Sequence, residues 1–369
     1  MLIKNNCKFF PGDRPCKPHK ERGKVCDTCD EYSPVKHKTL IIKLDAIGDV
    51  LRTTAILSSL KKAYPGTYIK WLTKSNAKEL FINNDLVDEI ICYEVPVTNI
   101  NLAIEEFDVV INLDPSPVSS ALCSFAIGKE KFGFGLNSKG KVYPVNKEAE
   151  EWFTMGSFDS DKKKNKKTYQ QIIHEICRFP YDKSEIILSL NKKDIDFKNE
   201  FIKKNKLEND KLIVGINAGA SIRWQFKKWR LEGYKELIKK LTDSLDCRIL
   251  LYGGADEIET NNELIKTSKK ILDTGHDNSL RQFIALMDIP QILITGDTLA
   301  LHVAAALKKK VICLFGPTSY NEIEDYGRIT KIYPEMECLV CYKNKCDFIP
   351  NCMDLISADM IFNAVKKLL

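Results

Sequence analysis

No apolar run in this 369-residue chain reaches the ~20 residues that a membrane-spanning helix needs. The Asn- and Lys-rich start is not that of a secretory signal peptide, so the expected location is the cytoplasm. There is no Gly-x-Gly-x-x-Gly after a first strand and no Gly-x-x-x-x-Gly-Lys-Ser/Thr. Their absence argues against an NAD-binding Rossmann enzyme and a P-loop NTPase. No His-Glu-x-x-His and no acidic pair at metal spacing occurs, so no catalytic metal is expected. No solenoid-type repeat is present either.

The composition is that of a globular protein, with 44% hydrophobic and 29% charged residues, and the length allows two domains. The net charge of +6 comes from lysine. It is compatible with an anionic ligand such as a nucleotide, or with an acidic membrane surface, although most lysines read as solvating residues. The run Lys162-Lys163-Lys164-Asn165-Lys166-Lys167 reads as an exposed loop.

From residue 39 onward, strands alternate with helices. Strands are expected at 39–44, 67–73, 88–93, 107–113 and 131–134, with helices at 50–63, 75–83, 116–127 and 169–178. In the second half, strands at 211–217, 247–252, 271–274, 290–295 and 310–315 alternate with helices at 231–244, 256–269, 279–287 and 298–307. This is the grammar of parallel α/β sheets, here two Rossmann-like domains facing a central cleft. The expected segments are a Cys-rich start at 1–36, domains at 37–190 and 191–330, and a Cys-rich segment with a terminal helix at 331–369.

Ligands of such sheets sit beyond the carboxyl ends of the strands, against helix N-termini. Three loops in those places carry chemistry. After Leu40-Ile41-Ile42 comes Lys43-Leu44-Asp45-Ala46-Ile47-Gly48-Asp49, where Gly48 permits a sharp turn. Asp49 there is either a helix cap or a base at the cleft. Arg52 and Thr53 follow on the first turn of the next helix, placed for an acceptor. Asn217-Ala218-Gly219-Ala220-Ser221 brings a small-residue backbone to a strand end, and Lys227 follows on the loop before a helix, placed to neutralise a diphosphate. Asp297 reads as a cap of the next helix, and Thr298 and His302 share one face of it. Phe315-Gly316-Pro317-Thr318 brings another small turn to the same edge.

The ordered set resembles glycosyltransferase family 9, the ADP-heptose:lipopolysaccharide heptosyltransferases. The residues that carry it are 43–54, 217–220 with Lys227-Lys228-Trp229, Tyr252-Gly253-Gly254-Ala255-Asp256-Glu257, Gly296-Asp297-Thr298 with His302, and 315–318. The resemblance implies the GT-B fold and inverting transfer of a heptose or related sugar from an ADP-sugar, without a divalent metal. The implied acceptor is a cell-surface glycan or glycolipid. A protein acceptor, another nucleotide sugar and an inactive glycan- or partner-binding relative are the alternatives. No nucleic-acid partner is expected; peripheral contact with the inner membrane surface is compatible. The resemblance implies Asp49 as catalytic base. Gly48, Arg52 and Thr53 would stand on the acceptor side, and Lys227, Asn217, Gly219, Asp297, Thr298, His302, Gly316 and Thr318 on the donor side. Glu257 or Glu259 is implied near the nucleoside. Leu299 departs from the family, which usually has glycine there.

Eight of the 13 cysteines form two groups, Cys7, Cys16, Cys26 and Cys29, and Cys338, Cys341, Cys346 and Cys352. Four thiols at short spacing in a reducing compartment favour structural Zn, with Fe as the alternative. His19 or His37 is a substitute ligand for the first group, and the two groups form separate sites or share ligands. The terminal helix is expected to pack back on the N-terminal domain, as it often does in GT-B proteins.

Overall fold

The computed structural model describes residues 3–220, 226–343 and 345–369. The first sheet is built from β1 (Lys38–Ile42), β2 (Tyr68–Thr73), β3 (Glu89–Cys92), β4 (Glu106–Asn112), β5 (Ile127–Leu136) and β6 (Val142–Pro144). The second contains β7 (Ile213–Asn217), β8 (Arg248–Tyr252), β9 (Ile271–Asp273), β10 (Ile292–Gly296), β11 (Lys310–Leu314) and β12 (Ile329–Ile332). The orders are β3-β2-β1-β4-β5-β6 and β12-β11-β10-β7-β8-β9. All pairings are parallel except β5 with β6. In each sheet the direction of winding reverses between two central strands, β1 and β4 in one and β10 and β7 in the other. That is where a doubly wound sheet opens a crevice.

In the first half the helices are α1 (Lys17–Arg22), α2 (Ile47–Thr53), α3 (Ile56–Ala63), α4 (Pro96–Leu102), α5 (Pro117–Phe125), α6 (Glu150–Ser157), α7 (Asp159–Lys164) and α8 (Tyr169–Ile176). The rest are α9 (Lys192–Lys204), α10 (Leu231–Ser244), α11 (Ile258–Ile265), α12 (Leu280–Met287), α13 (Leu299–Ala306) and α14 (Ala358–Leu368). Central strands are continuous apolar runs because helices cover both faces. Leu40, Ile41 and Ile42 are fully buried, as are Ile292, Leu293 and Ile294. Helix starts follow their capping residues. Asn191 and Asp194 exchange backbone hydrogen bonds at the start of α9, and Ser279 and Gln282 do so at α12.

Four expectations need correction. The helix after β1 begins at Ile47, so Gly48 lies inside α2 rather than in a turn before it. The first half of the lysine run, Lys162 to Lys164, is helical, in α7, because Asp159 and Asp161 favour its N-terminus and the lysines its C-terminus. β6 and β12 carry short half-buried patterns that the periodicity did not reveal. The terminal helix α14 packs on α10, β11 and β12 of the second half, not back on the first sheet. Its apolar face, with Ile361 and Val365 fully buried, joins the core of the second half.

The two halves meet beside the cleft. α2 packs on α13, and Arg281 of α12 donates to the Glu79 carbonyl of the first half. The Tyr169 amide at the start of α8 donates to the Glu322 carbonyl. The N-terminal segment folds back on itself, with Lys8 and Val35 amides donating to Ser33 and Asn6 carbonyls. Lys8 then pairs with Asp88, which precedes β3. This places the first cysteine group by the amino ends of the strands, away from the cleft. No helix among the described residues is long and apolar enough to cross a membrane.

Candidate functional site

The carboxyl ends of the central strands of both sheets line one cleft of about 1100 Å³. On the first wall, the buried Lys43 donates from Nζ to the Leu113 carbonyl at 3.1 Å. Burial works against its ammonium, but Tyr169, Asp114 and Asp49 outweigh it and raise the pKa. The Asp49 carboxylate, with 36% of its side chain exposed, takes the Arg52 guanidinium at 2.8 Å. It also accepts, more weakly, from the Ala46 amide at 3.4 Å. Burial would raise its pKa; Arg52, Lys43 and His302 outweigh that and hold it below the ordinary carboxylate range. Asp49 is therefore ionised at neutral pH. Arg52 lies over the Tyr169 ring, 3.8 Å from its centroid, and the Tyr169 hydroxyl is 2.7 Å from Thr53 Oγ1.

On the second wall, Lys227 donates to Asp297 Oδ2 at 2.7 Å. Burial favours protonation of Asp297, yet Lys227 and His302 hold it well below the ordinary range. Asp297 does not cap α13; that position belongs to Thr298. Lys227 is thus held next to the N-terminus of α13 on the cleft, where both favour an anion. His302 sits one turn into α13. Burial, with Arg52 beside it, pushes its pKa down to about 4 despite Asp297 and Asp49, so its imidazole is neutral at pH 7. Asn217 ends β7 and Gly219 follows in the loop beyond it, on the same wall. A Cβ at Gly219 would lie 2.6 Å from the Glu257 carboxylate, so glycine there makes room for Glu257. Glu257 accepts from the Gly254 amide and lines the cleft, whereas Glu259 is exposed and does not. Ser221 lies outside the described residues.

Asp49, Arg52, Lys227, Asn217, Gly219, Glu257, Asp297, Thr298, His302 and Thr318 therefore share one cleft. Three expected residues do different work. Thr53 is fully buried and holds Tyr169, so it does not face an acceptor. Gly48 lines the floor but is there for close packing: a Cβ would lie 2.8 Å from His302 Cδ2. Gly316 faces away from the cleft, where a Cβ would lie 2.6 Å from Cys352 Sγ. Leu299 lines the cleft where a smaller residue was the family pattern.

Sequence reasoning missed Lys43, Trp152, Tyr169, Glu322 and Tyr342, all on the cleft. Lys43 was visible as a charge at the end of an apolar strand. The other four come from helix starts and loops with no distinctive spacing.

Among the described residues no cysteine is joined to another by a disulfide. Cys338, Cys341 and Cys346 are near enough to Cys352 to raise its pKa, which burial first pushes up, to about 11. Among the described residues, no three Cys, His, Asp or Glu side chains are arranged around a metal-sized point. Neither cysteine group is drawn together as a ligand cage, so the expected metal closure is not seen in the side-chain placement. The segment of the first group is tied to the amino end of β3 through Lys8 and Asp88, and that of the second to the turn after β11.

A family model described as glycosyltransferase family 9 (heptosyltransferase) matches residues 100–350. Lipopolysaccharide heptosyltransferase 1 of Campylobacter coli is 23% identical over 351 residues, covering 90% of this chain and 98% of that protein. The fold is similar to that of E. coli ADP-heptose lps heptosyltransferase II, with a TM-score of 0.65 and 19% identity, over 90% of this chain and 98% of that one. It is also similar to the iron-containing dodecameric glycosyltransferase TibC of enterotoxigenic E. coli, with a TM-score of 0.54 and 12% identity, over 92% and 81%.

Proposed function

Because the chain belongs to glycosyltransferase family 9, we propose that it transfers a heptose from ADP-heptose to a hydroxyl of a lipopolysaccharide-type glycan. The observation that carries this reading is the pairing of walls. An ionised Asp49 stands on one side, and Lys227 with the start of α13 stands on the other. We place acceptor binding on the first half, 37–190, and the nucleotide sugar on the second, 191–330.

In this reading the acceptor hydroxyl gives its proton to a carboxylate oxygen of Asp49. Its oxygen bonds the anomeric carbon from the side opposite the phosphate, and the bond from that carbon to the β-phosphate oxygen breaks. ADP leaves with the electron pair, and the configuration inverts. Lys227 and the α13 N-terminus meet the charge that develops on the leaving oxygen. To do so Lys227 shares its ammonium between Asp297 and the phosphates. Asp49 is a weak base, so its proton uptake depends on the hydroxyl becoming acidic as the new bond forms. Glu257 supplies an acceptor for nucleoside hydroxyls.

The donor set Cys338, Cys341, Cys346 and Cys352 has the chemistry of a tetrahedral thiolate site. Its loop is already fixed at the backbone, where Val340 and Tyr342 amides donate to Gly316 and Pro317 carbonyls. We assign it a structural Zn or Fe, and leave Cys7, Cys16, Cys26 and Cys29 as a second, independent candidate. The chemistry supplied there is loop closure, not catalysis. The working location is the cytoplasm.

The test is a sugar-nucleotide panel with mass-spectrometric detection of released nucleotide. Release of ADP from ADP-heptose, dependent on a glycan acceptor, supports the reading; turnover confined to UDP- or GDP-sugars overturns the donor. In calorimetry, Lys227→Ala should weaken ADP by about tenfold or more and adenosine far less, since one charged contact is lost only with phosphates present. Equal losses for both ligands would take Lys227 off the phosphates.

A further inference from the structure

Beyond the base and the anion site, the cleft contains a polar cluster with no assigned work. Glu322 lies in the loop before β12 and lines the cleft. Its Oε1 accepts from the Tyr342 hydroxyl at 2.9 Å. The same hydroxyl accepts from the Ser319 amide at 3.3 Å. Tyr342 reaches this position because its loop is bonded to the turn after β11 at Gly316 and Pro317. Lys162 of α7 lies over its ring, 4.2 Å from the centroid. Two further hydroxyls line the same cleft. Thr318 and Ser319 are 5% and 3% exposed, and neither side-chain oxygen has a hydrogen-bond partner among the described residues. Buried hydroxyls without partners are rare and cost stability, so they mark a place where a ligand completes the bonding.

The position of the cluster selects the ligand. Glu322 lines the same cleft as Asp49 and Lys227, and its backbone carbonyl holds the amide of Tyr169, whose ring lies against Arg52, the partner of Asp49. It therefore belongs to the second half, which carries the anion site, and stands where that half meets the residues that hold the base. In the transfer proposed above, the group that reaches from the anion site to the base is the sugar ring, with its phosphate at one end and its reacting carbon facing the base. A carboxylate flanked by hydroxyls is the usual protein complement to sugar hydroxyls, since it accepts and the neighbouring oxygens donate or accept. We propose that Glu322, held by Tyr342 and flanked by Thr318 and Ser319, binds hydroxyls of the transferred sugar and selects the donor by them.

This rests on the nucleotide-sugar reading and adds a specificity-determining residue to it. It also gives the second cysteine group a functional consequence. Tyr342 is the neighbour of Cys341, so the cysteine loop fixes the residue that fixes Glu322.

The test compares ADP with ADP-heptose by calorimetry on the full chain. Glu322→Gln should leave ADP affinity within about twofold and weaken ADP-heptose by about 10- to 100-fold, the range for one hydrogen bond to a charged group. Tyr342→Phe keeps the ring and its packing; it should give a smaller loss in the same direction, again sparing ADP. A purely structural role would weaken both ligands together, and that result overturns the proposal. So does an unchanged ADP-heptose affinity with a raised KM for the glycan, which would move Glu322 to the acceptor. Failure of the wild-type protein to bind ADP or ADP-heptose would instead sink the donor reading, and this inference with it.

Discussion

Asp49 shows how one side chain serves two purposes. It accepts the Ala46 amide at the start of α2, and it holds Arg52 across the first turn. Asp49→Asn keeps an acceptor for that amide and loses the charge. If Asp49 is the base, kcat should fall by about 10²–10⁴-fold with ADP affinity little changed. Near-normal turnover would leave Asp49 as a cap and an ion-pair partner only. The variant should also melt earlier, because Arg52, with 12% of its side chain exposed, loses its partner. His302 carries the clearest pH signature. Its pKa is about 4 in the fold against an ordinary 6.5, in the company of Arg52, Asp297, Asp49 and Lys227. Between those values the unfolded chain binds more protons than the native one, so acidification favours unfolding. Its contribution is complete above about pH 6.5 and drains away as the pH falls toward 4. Thermal melts across that window should show a falling Tm, and His302→Gln should flatten the slope. An unchanged slope would mean other groups set the acid sensitivity.

Elements were legible in the sequence to the extent that burial imposed a period. Leu40-Ile41-Ile42 and Ile292-Leu293-Ile294 announced their strands because both sheet faces are covered. β6 and β12 did not, because edge strands with half-buried residues carry no strong pattern. The site divided in the same way. Asp49, Lys227, Asp297 and His302 stand in the loops and helix starts that follow readable strands, so their spacing betrayed them. Tyr169 and Tyr342 reach the cleft only through packing between segments remote in sequence. Glycines were read as turn formers, but Gly48 is helical and serves contact between α2 and α13. Gly48→Ala is a test at this scale. Its methyl would meet His302 Cδ2 at 2.8 Å, and the imidazole ring is held in a packed helix. The variant should lose about 1–3 kcal/mol of stability, as overpacked cores do. It should also lower kcat/KM by shifting Asp49 relative to α13. A variant with normal Tm and normal kinetics would show that the halves separate freely.

For the molecule as a whole, the cysteine groups make a claim about composition. Protein purified under reducing conditions should contain Zn or Fe, with at least one ion per chain at Cys338, Cys341, Cys346 and Cys352. Replacing Cys341 and Cys346 with Ser should remove that ion and lower Tm, because metal binding energy is then lost from folding. Elemental analysis showing no metal, with these four thiols freely titratable, would refute the assignment. Activity should decline in the double variant in step with the displaced Tyr342.

The joints between the halves have one more consequence. α2 abuts α13, Arg281 reaches the Glu79 carbonyl, and the Tyr169 amide holds the Glu322 carbonyl. The distance between the walls is thereby a gauge, set before any substrate arrives. A gauge of this kind rejects by thickness as well as by chemistry: a donor too bulky for the gap must break a joint to enter. Its selectivity should then depend on Arg281, which is not itself one of the residues that line the cleft.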